Sequence, residues 1–201
     1  MVVSNAFRPD PRVYKEAKSL VEYGFRVAVY AWDRECKYPR HSVMSGIIVE
    51  RIRIRSSYGN FFRFMITTPI FWLVVSLKIL AGHVAVIHCH DFDTLPVGLI
   101  VKVLRRNIKL VYDAHEYYPA MVIDKILYLL YVLLRWIDRA FVRIVDCLII
   151  PCEERRKLYE GAKKITVVPN TPKLVDIRRE PLKGGFTIFY GGGLSEGNGI
   201  L

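Results

Sequence analysis

Two short segments concentrate side chains suited to acid–base or polar recognition chemistry: His88-Cys89-His90-Asp91 and Asp113-Ala114-His115-Glu116. Imidazoles beside carboxylates can orient hydroxyl groups, stabilise developing charge and exchange protons near neutral pH. Each segment adjoins an apolar run, 84–88 or 108–112, that reads as a strand. Between them Leu95, Val97, Leu99, Ile100, Val103 and Leu104 make a helix-like run from Thr94 to Arg106, apolar over much of its circumference. Strand–helix–strand implies parallel neighbours with both polar segments at their carboxyl ends. In an open α/β sheet, ligands bind at those ends.

Each cluster also has a plainer reading. His88 and His90 lie two apart on a strand and share a face. They suit metal ligation, but zinc sites need three or four protein ligands and no further His pair has matching spacing. No metal is therefore expected. His88 is expected to pack within the sheet and His90 to face a cleft. His90 and Asp91 suit sugar hydroxyls, or a strand-end turn in which Asp91 or Asp93 caps the next helix. Capping is expected of Asp93, since Thr94 opens the helical run. His115 and Glu116 suit a substrate hydroxyl, or a second cap.

The rest of the chain alternates in the same manner. A strand tail at 1–5 leads to Asp10, a plausible N-cap, and Pro11, a favourable first helical residue. Val13, Ala17, Leu20 and Val21 recur at helical spacing, Gly24 stops the helix, and 26–31 is the next strand. Residues 32–46 are polar and read as irregular. In the strand-like run 47–55, Ile52 and Ile54 share one face, and Arg51, Arg53 and Arg55 a solvated one. A helix or two over 121–144, a strand at 146–150, a short helix at 153–161 and a strand at 165–168 follow. Residues 173–185 read as a linker, and a last strand, 186–190, enters Gly191-Gly192-Gly193. The fold class expected is α/β, a parallel sheet with helices on both faces.

Composition narrows the function. With 201 residues, 52% hydrophobic, the chain can build a full core, and disorder is excluded. The formal net charge of +11 favours an anionic partner such as a lipid surface or a phosphorylated substrate. No zinc-finger spacing or RNA-binding aromatic signature accompanies it, so nucleic acid is not expected. Four cysteines without a CxxC pair point to reduced thiols in the cytoplasm, and the first residues do not read as a signal peptide. Residues 61–80 are the most apolar stretch. Arg63, Lys78 and Pro69 interrupt a run that would need about 20 mostly apolar residues to span a bilayer. A helix of the α/β layer is preferred, with one lying on a membrane surface as the alternative. Arg135, Arg139 and Arg143, four apart among apolar residues, allow the same two readings. A serine hydrolase is disfavoured by the lack of GxSxG. The glycine run could cradle a phosphate but matches no standard phosphate loop.

Five segments, in order and spacing, carry a family resemblance: DPRVYKEAKSLVEYGFRVAVYAWDR (10–34), VIHCHDFDTLPVGLI (86–100), LVYDAHEYYP (110–119), VVPNTP (167–172) and FYGGGLSEGNGI (189–200). Together they resemble the amino-terminal half of GT-B glycosyltransferases of the family 4 type (group 1). The resemblance implies a retaining transferase with two Rossmann-like domains facing across a cleft. A nucleotide-diphosphate sugar is the co-substrate, held mainly by the carboxyl-terminal domain, with no metal or other cofactor. The acceptor, a glycan or lipid-linked glycan, lies on the side represented here. On the family's motif, His90 matches the catalytic histidine that approaches the donor sugar. Asp10 and Arg12 match the loop near acceptor and diphosphate; His115 and Glu116, with Asp91, match acceptor or sugar binding; Gly192, Gly193, Ser195 and Asn198 match the diphosphate loop.

The chain departs from that pattern where relatives carry an arginine and a lysine to neutralise the diphosphate. Gly193 and Asn198 stand at those positions. The expected division is an acceptor-side domain over 1–172, the linker, and at 186–201 the first strand of a shortened donor domain. On this reading the first strand is clipped at Met1, and the chain is a fragment with little activity alone. A non-enzymatic membrane-peripheral or partner-binding module derived from such an enzyme is the alternative; a sugar-nucleotide epimerase fits the DPRV and HCHD segments less well.

Overall fold

The computed structural model describes residues 1–8, 10–56, 61–119 and 128–171. The linker, the last strand and the diphosphate-loop positions Gly192, Gly193, Ser195 and Asn198 lie outside the described residues, as does the start of the helical run at 121. Met1–Asn170 form one compact unit.

Among the described residues one sheet has eight strands. They are β1 (Val2–Val3), β2 (Ala28–Trp32), β3 (His41–Met44), β4 (Ile47–Ile52), β5 (Val86–His90), β6 (Lys109–Asp113), β7 (Cys147–Ile150) and β8 (Ile165–Val167). Their order is β3-β4-β2-β1-β5-β6-β7-β8, and every pairing is parallel except β3 with β4. The helices are α1 (Pro11–Glu22), α2 (Phe61–Ala81), α3 (Leu95–Leu104) and α4 (Tyr128–Ile144), with a 3-10 helix at Glu153–Leu158. This is the expected α/β fold.

Local chemistry explains the elements that frame the site. Asp10 Oδ1 accepts the Val13 N–H at 3.1 Å and Pro11 occupies the first turn, so α1 begins where its orphan donors find a partner. Val13 and Ala17 bury its inner face with Val3, Val29, Ile47 and Val49. The opposite face of the sheet is the larger core, built from Ile87, Cys89, Leu110, Tyr112, Leu148 and Ile150. There Phe71, Val75 and Ile79 of α2 pack with Leu95, Val97 and Leu99 of α3 and Val142 of α4.

Three expectations need correction. Residues 41–44 are not irregular: they pair with β4 through a tight turn at Ser45-Gly46, both at positive φ. Two such residues suit a hairpin turn, while the exposed edge strand shows little apolar alternation. Arg51 does not face solvent. It is 4% exposed and donates to Ala6 O, Pro39 O and Ser42 Oγ, because β3 and the loop after β1 close over that side; Arg53 and Arg55 do stay exposed. Asp93 turns toward Arg34 at 3.9 Å instead of capping α3, while Thr94 Oγ1 donates back to His90 O at 2.7 Å. The helix α3 starts without a side-chain cap from Thr94.

Candidate active site

β1 and β5 are neighbours, yet the chain leaves β1 through α1 toward β2 on one side and leaves β5 through α3 toward β6 on the other. That reversal of direction opens a crevice at the carboxyl ends of the two strands. Helix α1 brings Arg12 and Glu16 to its edge, one turn apart and bordering the buried Val13–Ala17 stripe. Strand β5 brings His88 and His90, whose rings stack at 4.2 Å. Strand β6 brings Asp113, the register partner of His90, and His115 follows it.

These groups converge. Arg12 Nη2 donates to Asp113 Oδ1 at 2.9 Å, and its Nε to Glu16 Oε1 at 3.3 Å. Asp113 Oδ2 lies 3.2 Å from His115 Nε2 and 3.5 Å from His90 Nδ1. His115 Nε2 is also 3.3 Å from His90 Nδ1, and its Nδ1 is 3.3 Å from Asp91 Oδ2. Asp91 reaches that position from a left-handed backbone conformation (φ 65°), which aspartate tolerates better than most residues.

Burial and charge divide the roles of the three imidazoles. Burial lowers the His115 basicity, but hydrogen bonds to Asp113 and Asp91 outweigh it and raise its pKa to about 10. It is a cation at neutral pH and donates through both ring nitrogens. Burial pushes the pKa of His88 and of His90 down, so both are neutral. Burial also raises Asp113, but hydrogen bonds with His115 and His90 hold it well below the ordinary carboxylate range. Burial, and then the charge of Asp113, raise Glu16 to about 7. The arrangement can hold a buried carboxylate between an arginine and an imidazolium, with a neutral histidine beside them.

Residues 12–171 match the family described as Glycosyltransferase Family 4. The chain belongs to that family. Its fold resembles sucrose-phosphate synthase from Thermosynechococcus elongatus at a TM-score of 0.66 and 14% identity, covering 84% of this chain and 46% of the other. It also resembles a structure described as trehalose-6-phosphate from E. coli bound with UDP-2-fluoro glucose, at a TM-score of 0.51 and 13% identity, covering 80% and 41%. The family 4 chain thus spans less than half the length of these solved structures. No curated protein matches it.

Of the residues marked out in the family 4 sequence, the fold brings Arg12, His90, Asp91 and His115 together. Asp10 stands apart, with one oxygen capping α1 and the other accepting from Asn5 Nδ2 at 2.8 Å. Glu116 points away and pairs with Arg155 at 3.1 Å, while Arg155 also donates to His115 O at 2.7 Å. His90 is 2% exposed, so its ring lies below the crevice surface. Sequence reading overlooked Glu16 and Arg155, and left Asp113 without a role. For Glu16 a signal was present: it lies four residues from Arg12 on the border of the apolar stripe.

Proposed function

We propose that the chain is the acceptor-side domain of a retaining, nucleotide-sugar-dependent glycosyltransferase of glycan or glycolipid synthesis. The observation that carries this reading is the convergence of Arg12, His90, Asp91, Asp113 and His115 at the switch point of a family 4 domain. His90 Nε2 is buried and has no hydrogen-bond partner, so that ring nitrogen is left for an oxygen of the sugar. In this reading the donor sugar sits above His90, the acceptor lies toward His115 and Glu116, and residues 186–201 begin the donor domain. The test is transfer of radiolabelled sugar from UDP- and GDP-sugars to a lipid extract by a full-length version joined to its donor domain. His90→Ala is expected to abolish transfer; unchanged turnover would remove His90 from the mechanism.

A second reading concerns where this happens. Helix α2 is long and apolar enough to span a membrane by length and composition, yet a third of that window is buried within the fold. Its outer face still presents Ile66, Ile70, Leu73 and Leu77, spaced as one stripe and about half exposed. Helix α4, on the same side of the sheet, buries Asp138 and exposes Leu129, Leu133 and Trp136 beside Arg139 and Arg143. With the net charge of +11, this side suits an anionic membrane surface, on the cytoplasmic face. Vesicle flotation tests it: binding should require anionic lipid and weaken with salt. Equal, salt-insensitive binding to neutral lipid would argue against the charge contribution. Membrane binding without sugar transfer by the full-length version would favour the non-enzymatic module instead.

A further inference from the structure

The ladder between β6 and β7 ends at Ala114, whose N–H donates to Ile149 O at 2.9 Å. His115 is the next residue, past the end of that ladder, so its carbonyl needs a partner from elsewhere. The segment after β7 supplies one. Beyond Ile150 the chain turns at Cys152, whose O accepts the Arg155 N–H at 3.3 Å, and winds into the 3-10 helix. Arg155 reaches back from that helix: Nη1 donates to His115 O at 2.7 Å and Nη2 to Glu116 Oε2 at 3.1 Å. A planar guanidinium fork can span a carbonyl and a carboxylate at once, which a lysine ammonium does not do in the same geometry. Just past the helix, Tyr159 is 1% exposed and meets Tyr117 edge to face at 5.7 Å, a second tie between the same two segments.

We propose that Arg155 is a positioning residue: by holding the His115 backbone it sets the ring across Asp91 and Asp113 at the crevice. Its bearing on sugar transfer rests on the acceptor-side reading, whereas the positioning itself does not. The ring contacts are long for bonds between charged groups, 3.3 Å to Asp91 Oδ2 and 3.2 Å to Asp113 Oδ2. A displacement of about half an ångström would take either beyond hydrogen-bonding distance. Asp113 cannot follow the ring, because Arg12 Nη2 holds its other oxygen at 2.9 Å. As an ion pair alone, Arg155 and the 59% exposed Glu116 would contribute little, since water screens them. The bond to the His115 carbonyl is what ties the arginine to the site.

The test is the titration of His115 in the whole 201-residue chain, followed by NMR of histidine-labelled protein and assigned from the signal missing in His115→Gln. Asp91 and Asp113 favour the charged ring, and His90, 3.3 Å away, is neutral. In the unaltered chain the pKa should lie near 10; titration at the ordinary value of about 6.5 would sink the proposal, since the ring would then bridge nothing. Removing a neighbouring cation would by itself raise the His115 pKa, whereas releasing the ring from its carboxylates lowers it. Arg155→Ala should therefore lower it by about 1 or more, and Arg155→Lys, which keeps the charge but not the fork, by less. Arg156→Ala loses only the pair with exposed Glu153 and should leave it unchanged; an equal fall there would trace the effect to the 3-10 helix and remove Arg155 from the role. An unchanged or raised pKa in folded Arg155→Ala would overturn the proposal; if that variant does not fold, an unchanged pKa in Arg155→Lys does so. In the full-length version joined to its donor domain, Arg155→Ala should lower kcat for sugar transfer about 10-fold or more. A lowered pKa with unchanged kcat would detach the position of His115 from the reaction. Absence of transfer by the unaltered full-length version would overturn the glycosyltransferase reading and leave the titration result standing.

Discussion

At the scale of single residues, the buried charges set the clearest expectations. Asp113 is fully buried and answers Arg12, which is 13% exposed. Removing one member of such a pair leaves the other charge without compensation, at about 3–5 kcal/mol. Asp113→Ala, measured by urea unfolding, should lose stability of that order; a loss below about 1 kcal/mol would show that water already screens Arg12. Asp138 behaves in the opposite sense. It is 1% exposed, both its oxygens lack partners, and burial, only partly offset by Arg139, raises its pKa to about 6. Below its unfolded pKa of about 4 the carboxyl is neutral in both states and costs nothing. As pH rises the unfolded chain ionises first, so stability falls between about pH 4 and 6 and stays low above. Asp138→Asn should remove this slope and exceed the unaltered chain at pH 7.5 by on the order of 2–3 kcal/mol. Parallel pH profiles for the two proteins would show that Asp138 is solvated.

At the scale of elements, the close seat of α3 on the sheet is the most demanding contact. A Cβ on Gly98 would strike the Leu110 side chain and lie 2.9 Å from Cys89 Sγ. Both neighbours belong to the larger core, and Leu110 is fully buried. Gly98→Ala should therefore destabilise by about 1–3 kcal/mol, despite alanine's better helix propensity. A Tm equal to or above that of the unaltered chain would mean that α3 can lift freely. The same element shows what a sequence can carry. Strands β5 and β6, and α3 between them, were legible because their apolar runs are long and end at polar clusters. Helix α1 was legible from Asp10, Pro11 and Gly24, which act locally. The edge strand β3 was not, because an exposed strand need not alternate. Arg51 and Glu16 were not, because periodicity says that a polar residue borders an apolar stripe but not what covers it. In both cases the covering group comes from elsewhere in the chain: for Arg51 the loop after β1, for Glu16 the ends of β5 and β6.

At the scale of the molecule, the chain carries one wall of a crevice whose opposite wall the family resemblance assigns to a donor domain. It spans 46% of one solved relative and 41% of another. The groups it contributes, Arg12 and the cationic His115, flank one buried carboxylate, so much of their charge is already answered by Asp113. Little remains to hold a diphosphate against its hydration. On the proposed function, differential stabilisation of the departing diphosphate and the developing sugar cation then depends on the other wall. Isothermal titration of the 201-residue chain with UDP-glucose and GDP-mannose should accordingly show binding no tighter than about 1 mM, near −4 kcal/mol. Joined to its donor domain, the same chain should bind one of these or a related nucleotide sugar about 100-fold or more tightly, a difference of roughly 3 kcal/mol. Micromolar binding by the 201 residues alone would mean that this wall holds the donor, and would move Arg12 and His115 from the acceptor side to the centre of donor recognition.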